Sequence, residues 1–186
     1  MMNKHLFSFL VTLVLLSPLT LRQQWKDYVR QLDSTRGDIR VNQIQAESNW
    51  NAKATSFIHY RTRDTLASLL DYNGAAGLSQ FMWRTAHDID PKAVLTTDTS
   101  NPYSIYNPIW SLNAHVEYMG QLRSYLTRNH SSLRGRMMLT ERYAVAGYNC
   151  GIGRVSRVLK RKGCNWWKVR FSLPAETRHY VQKIFN

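Results

Sequence analysis

Apolar side chains recur at intervals of three and four through most of this chain, the period of a helix with one buried face. The clearest case is residues 109–128, where Ile109, Leu112, Val116, Met119 and Leu122 fall on one stripe. The same reading predicts helices over 23–32, 39–48, 62–70, 83–88, 140–148 and 155–161. Strand-length alternation of apolar and polar residues is scarce. Gly37, Gly74, Gly77, Gly151, Gly153 and Gly163, with Pro91, Pro102, Pro108 and Pro174, punctuate the helical runs. No internal repeat or low-complexity stretch interrupts the pattern. The expected fold is mainly α, a single helical domain.

The N-terminus follows a different pattern. Lys4 and His5 precede an apolar run at residues 6–16, broken by Ser8 and Thr12 and ended by Ser17-Pro18. A basic start, a short apolar centre and a helix breaker have the shape of an export signal. The run is shorter than the ~20 apolar residues a membrane-spanning helix needs. Ser17-Pro18-Leu19-Thr20-Leu21 lacks an Ala-x-Ala cleavage site. The expectation is therefore an N-terminal hydrophobic helix at 1–21, either a cleaved signal peptide or an uncleaved membrane anchor associating through residues 6–16. Residues 22–186 form the domain.

Composition narrows the class. With 186 residues, 44% of them hydrophobic and 20% charged, the chain suits one well-buried domain and not a disordered polymer. The 25 Lys and Arg against 12 Asp and Glu leave a formal charge of +13. That favours an anionic partner: nucleic acid, a membrane surface or an acidic wall polymer. The basic residues are spread from Arg22 to Lys183 with only Lys160-Arg161-Lys162 as a short cluster, so specific nucleic-acid recognition is not expected. The six histidines show no ligand spacing, and two cysteines do not make a zinc site, so no metal or other cofactor is implied. Cys150 and Cys164 would close a loop worth roughly 3 kcal/mol if exported and paired, or remain thiols in a reducing compartment.

Candidate chemistry lies in three places. Glu47 ends the 39–48 helix, on which Val41, Ile44 and Ser48 share a face, and Trp50 follows it. A carboxyl partly desolvated by that aromatic would have a raised pKa and stay protonated as a general acid. A lone helical Glu is more often solvated. Gly74-Ala75-Ala76-Gly77 reads as a small-residue turn that lets backbone approach backbone or ligand, with Gln80 offering its amide just beyond. Tyr148-Asn149 closes the 140–148 helix ahead of Gly151. Capping explains Asn149 well and Tyr148 poorly. Of the six tryptophans only Trp50 carries weight, through its neighbour.

Taken in order, these segments resemble the catalytic domain of the soluble lytic transglycosylases, in the lysozyme superfamily and similar to goose-type lysozyme. Glu47-Ser48, Trp50-Asn51, Ala54 and Ser56 resemble the first motif. Gly74 to Met82 with Thr85-Ala86 resembles the second, and Asn107-Pro108 through Leu112, Asn113, Tyr118 and Met119 the third. Ala146-Gly147-Tyr148-Asn149 with Gly151, Gly153, Arg154 and Val155 resembles the fourth, and Leu173-Pro174-Ala175-Glu176-Thr177-Arg178-His179-Tyr180-Val181 the closing one. The resemblance covers residues 37–184. It implies a lysozyme-like helical domain with a substrate cleft and peptidoglycan glycan strands as substrate. It also implies Glu47 as the acid/base that cleaves the MurNAc-GlcNAc bond and leaves a 1,6-anhydro sugar. Ser56, Gln80, Met82, Tyr148 and Asn149 would bind substrate or support Glu47. Trp50 and Glu176 would be supporting residues, Glu176 organising the fold.

The chain departs from the family pattern at several points. An insertion occupies about 57–73, carrying Tyr60, Arg61 and Arg63. Ser79 stands where Met is usual, Trp83 where Pro is, and Gly147 where Ala is. Ser111 and His115 replace Asn and Gly. No second carboxylate lies close to Glu47 in the chain after Asp38, which fits a mechanism with one carboxylate, unlike paired-carboxylate glycosidases. Two rivals stand beside this reading: a lysozyme-type muramidase using water, and a non-catalytic basic module associated with wall or DNA. A small exported enzyme of this kind would be periplasmic or inner-membrane-associated, with secretion-machine partners. If phage-encoded, it would be virion-associated and act in the host periplasm.

Overall fold

The computed structural model describes residues 18–57 and 74–186. The apolar run at 6–16, the helix expected over 62–70 and nearly all of the insertion lie outside the described residues. Eight helices account for most of the described chain, so the mainly α, lysozyme-like domain is as expected. They are α1 (Pro18–Leu32), α2 (Gly37–Ser48), α3 (Trp83–Ile89), α4 (Pro108–Asn129), α5 (Met137–Cys150), α6 (Ile152–Lys162), α7 (Trp166–Val169) and α8 (Ala175–Phe185). The first turn of α1 runs continuously into residues 22–32, across the expected boundary at residue 22. None of the described helices is long and apolar enough to cross a membrane.

Each predicted helix among the described residues appears, extended by a few residues at one or both ends. The start of α4 shows why: Asn107 caps it by accepting from the Trp110 N–H at 3.0 Å, and Pro108 occupies the first turn, where its missing donor costs nothing. Helices α7 and α8 were not anticipated. Pro174 with Thr177, Val181 and Ile184 at helical spacing would have signalled α8.

The small sheet was missed as well. Three strands, β1 (Thr55–Phe57), β2 (Gly74–Ala76) and β3 (Phe81–Met82), pair antiparallel in that order, with Thr55 opposite Ala76 and Ala76 opposite Phe81. Gly74-Ala75-Ala76 is thus the central strand and not the expected turn. Strands of two or three residues are too short to show alternation, and their pairing is set by partners distant in sequence. The turn falls just after, where Gly77 has φ +76°. A Cβ there would sit 2.2 Å from the Ile105 carbonyl oxygen, so a side chain is barred both by conformation and by space.

Three apolar clusters hold these elements. The largest joins the buried faces of α4 to α8 around Tyr143, Leu126, Val158 and Val181. A second packs the sheet against α3 and α4 through Phe81, Ala86 and Trp110. The third seats α1 on α2 through Trp25, Val29, Val41 and Ile44, with Trp50, Leu78 and Leu112. Cys150 and Cys164 are both free, half-buried thiols.

Between these clusters runs a buried ionic network. Arg40 of α2 is fully buried and reaches Asp33 at 3.2 Å, Gln43, and Glu141 of α5, itself fully buried. Arg36 closes on Glu141 at 2.9 Å, and Arg123 approaches Asp33 and Glu141 at 3.6 and 3.4 Å. Burial lowers the Arg40 pKa to about 10, aided by the charge of Arg123 and opposed by Asp33, so it stays charged at neutral pH. Removing one partner strands the other in low dielectric. Arg40→Met or Glu141→Gln is therefore expected to lose about 3–5 kcal/mol of stability, measured by urea unfolding.

Candidate active site

Three residues on one stripe of α2, Arg40, Gln43 and Glu47, are spaced by three and four and so line up along the helix. Arg40 donates to Gln43, the side chain of Gln43 and the charge of Arg40 both act on the Tyr180 hydroxyl of α8, and that hydroxyl donates to Glu47 Oε1. Glu47 is the half-buried end of this series, in the last turn of α2. Its pKa is raised to about 7, first by burial and further by the negative charge of Glu176, while the Tyr180 hydrogen bond acts in the opposite direction. A carboxyl so placed carries its proton for an appreciable part of the time near neutrality and can also give it up.

Helix α8 is tied to both α2 and α5. Asn42 Nδ2 donates to the Ile184 carbonyl at 3.0 Å, and Thr177 Oγ1 donates to Asn149 Oδ1 at 2.6 Å. Asn149 thus joins α5 to α8 through its carbonyl oxygen. Tyr148 sends its hydroxyl to the Ser79 carbonyl at 2.5 Å and packs its ring against His115, Tyr118 and Phe81. Burial raises the Tyr148 pKa far above its ordinary value, and the nearby Glu47 charge raises it further. Tyr148 and Tyr180 both stay protonated around the acid.

The other wall is the β-turn region. Gln80 lies at φ +49° and its Nε2 donates to the carbonyls of Ala54 (3.1 Å) and Gly77 (3.0 Å), clamping the segment after α2 to the turn. Asn49 and Trp50 have φ of +53° and +63°. Three non-glycine residues in the left-handed region, all flanking Glu47 or the turn, mark strain concentrated at one place, as at functional sites. Met82 is exposed at the end of β3, and Ser56 contributes its backbone to β1 opposite Ala75.

The structure therefore brings Glu47 and Tyr148 together, with Asn149 joining α5 to α8 and Gln80 bracing the turn. Trp50 goes elsewhere: it is buried in the third cluster with Trp25 and Leu78, and the aromatic groups coupled to the Glu47 charge are Tyr180 and Tyr148. Glu176 is exposed in the first turn of α8, and its charge reaches Glu47 from a position 129 residues away in sequence, since 176 − 47 = 129. Carboxylates near in the chain were thus a poor guide to carboxylates near in space. Tyr180 stands in the closing motif, and nothing local in the chain marks it as a partner of Glu47. Its spacing of four from Glu176 was the available signal.

The family departures also meet here. Ser79 Oγ donates to the Ser111 carbonyl, Ser111 Oγ donates to Ser79 Oγ, both at 3.0 Å, and the Ser79 N–H donates to Ser111 Oγ at 3.1 Å. His115 stands 5.0 Å from the Tyr148 ring, fully buried, with neither ring nitrogen hydrogen-bonded among the described residues. A Cβ on Gly147 would press to 2.8 Å on Ile152 Cδ1. Ser79 and Ser111 thus satisfy each other, His115 packs on Tyr148, and Gly147 leaves room for Ile152.

A sequence model of the transglycosylase SLT domain matches residues 41–165, more than half of the chain. The chain belongs to this family, the lytic transglycosylases of the lysozyme-like superfamily, whose general activity is cleavage of peptidoglycan glycan strands. Glu47, Gln80, Tyr148 and Asn149 lie inside the matched span; Glu176 and Tyr180 lie beyond it. No curated protein matches the chain.

Two expectations follow. Carbon-13 NMR of the Glu47 carboxyl should titrate near pH 7. Tyr180→Phe should move that midpoint up, because a hydrogen bond favouring the carboxylate is gone, and Glu176→Gln should move it down. For His115, burial, aided by the Arg40 charge, depresses the pKa well below 6.5. The unfolded chain then binds the proton that the folded state refuses, and stability falls as pH drops below 6.5. Glu47 works in the opposite sense, its contribution being lost as pH rises through about 7. The comparison is therefore made without it: Glu47→Gln should lose more stability between about pH 7 and 5 than Glu47→Gln/His115→Leu, by urea unfolding.

Proposed function

We propose that Glu47 is the acid/base of a lytic transglycosylase that cleaves the MurNAc-GlcNAc β-1,4 bond and leaves 1,6-anhydro-MurNAc. The observation that carries this is a carboxyl with its pKa raised to about 7, hydrogen-bonded by Tyr180 at the end of α2, within the span matched to the family. Protonated Glu47 donates to the bridging oxygen as the C1–O4 bond breaks through an oxocarbenium-like state. The resulting carboxylate takes the proton of the MurNAc C6 hydroxyl, whose oxygen closes on C1. The nucleophile is already part of the substrate, which supplies proximity without a positioned water. Tyr180 steadies the carboxylate produced in the first step, and the raised pKa favours return of the proton after the second. Ser56, Met82 and Asn149 are assigned to the sugar and peptide contacts of the cleft, with Gln80 and Tyr148 holding its two walls in place.

The +13 charge suits an anionic wall, and the leader-like N-terminus suits an exported enzyme acting in the periplasm or at the inner membrane. We assign it to local opening of the wall for a secretion or conjugation machine or for phage entry. One observation favours hydrolysis instead: Glu176 brings a second carboxylate into the electrostatic reach of Glu47, where it could activate water.

Mass spectrometry of digested peptidoglycan separates the two. Anhydro-MurNAc ends are expected from the wild type, and reducing MurNAc ends would establish the hydrolase. Glu47→Gln should lower the rate by about 10²–10⁴-fold in wall-clearing assays while the chain still folds cooperatively, as read by thermal melting. Undiminished clearing would remove Glu47 from the mechanism.

A further inference from the structure

A cleft of about 300 Å³ lies among α5, α7 and α8, lined by Arg142 of α5, Trp166 and Trp167 of α7, Arg170 and Phe171, and the Arg178 face of α8. On α8, Glu176 and Tyr180 are one turn apart on the side of Glu47, while Arg178, Gln182 and Phe185 point roughly half a circle away. The cleft is therefore distinct from the site around the acid.

Its chemistry is specific. The Arg170 guanidinium stacks on Trp167 at 4.2 Å and on Phe171 at 4.6 Å, Arg142 lies over Phe185 at 5.0 Å, and Arg178 over Phe171 at 5.8 Å. None of the lining side chains is acidic, and none of the three arginines has an ion pair among the described residues. Arg170 Nε is buried without a hydrogen-bond partner. Trp167 and Phe171 remain 63% and 65% exposed, the largest apolar exposures on the described surface apart from Met137.

Stacking on a ring is ordinary for a surface arginine and explains the geometry of each guanidinium. It does not account for three positive charges converging, with no ion-pair partner among the described residues, around two exposed aromatic rings. A guanidinium held flat keeps its N–H edge free and pre-organised for a carboxylate. Exposed Trp and Phe beside Arg are the residue types that anchor protein interfaces.

We propose that this cleft docks an acidic segment of a partner protein, with one bulky apolar side chain seated among Trp167, Phe171 and Phe185 and flanking carboxylates on Arg170, Arg178 and Arg142. The concave shape favours an inserted segment over a flat lipid surface. The docking does not depend on Glu47.

The test is fluorescence polarisation with the full chain and labelled synthetic peptides rich in Asp and Glu around a central Trp. Controls replace that Trp by Ala, or the acids by Asn and Gln, and soluble muropeptides serve as competitors. Binding of the acidic Trp peptide is expected, weakened about tenfold or more by either peptide change and by Trp167→Ala or Arg170→Glu in the protein. Both variants should cleave purified wall at the wild-type rate. Trp167 is exposed, so its variant keeps the test valid if Arg170→Glu does not fold. Absence of binding, equal binding of the control peptides, or displacement by muropeptides as effective as unlabelled peptide would each overturn the proposal. Lost wall cleavage with intact peptide binding would instead count against the enzymatic reading alone.

Discussion

A charged arginine with no exposure to water is the constraint on which this structure turns. Arg40 is tolerable in the interior only because Asp33 and Glu141 neutralise it and Gln43 takes up a further donor. Those partners come from the end of α1, from α2 itself and from α5. Satisfying one side chain therefore sets how three helices meet. The same residue acts toward the site: its charge and its partner Gln43 both influence the Tyr180 hydroxyl, and that hydroxyl donates to Glu47. The positive charge of Arg40 is felt at His115, Tyr148 and Tyr180 as well. Stability and acidity share one polar stripe running from the core to the cleft.

That arrangement explains how a carboxyl can be raised to about 7 and still be usable. Burial alone would hold Glu47 protonated; the Tyr180 hydroxyl tempers this, and Glu176 opposes the tempering. Around it the backbone is strained at Asn49, Trp50 and Gln80, and the strain is held by Gln80's two bonds to carbonyls and by burial of the Trp50 ring. The patch of Ser79, Ser111, His115 and Gly147 shows how unusual residues can coexist: the two serines satisfy each other, and the missing methyl of Gly147 makes room for Ile152. The cost falls on His115, whose ring is buried neutral with its nitrogens unpaired among the described residues.

Much of this was legible along the chain. Amphipathic periodicity located the helices from α1 to α6 among the described residues, because a helix records its buried face locally, every three or four positions. The end of α2 placed Glu47, and the order of motifs pointed to the family. The short strands left no such record, since two or three residues carry no period and Gly74 to Ala76 resembles a turn until its neighbours are known. Helix α8 left a weak one that went unread, and Tyr180 with it.

Sequence by itself determined the helical class, the candidate acid and the family, all of which depend on residues close together or on their order. Only the tertiary structure decided what surrounds that acid. Its pKa is set by a tyrosine and a carboxylate contributed from far along the chain and by the water excluded between them. Trp50, its neighbour in sequence, went to the core because a ring flanked by left-handed backbone packs where α1 and α2 leave an apolar space. Desolvation and charge act through space, and spatial neighbours are assigned by the fold and not by adjacency in the chain.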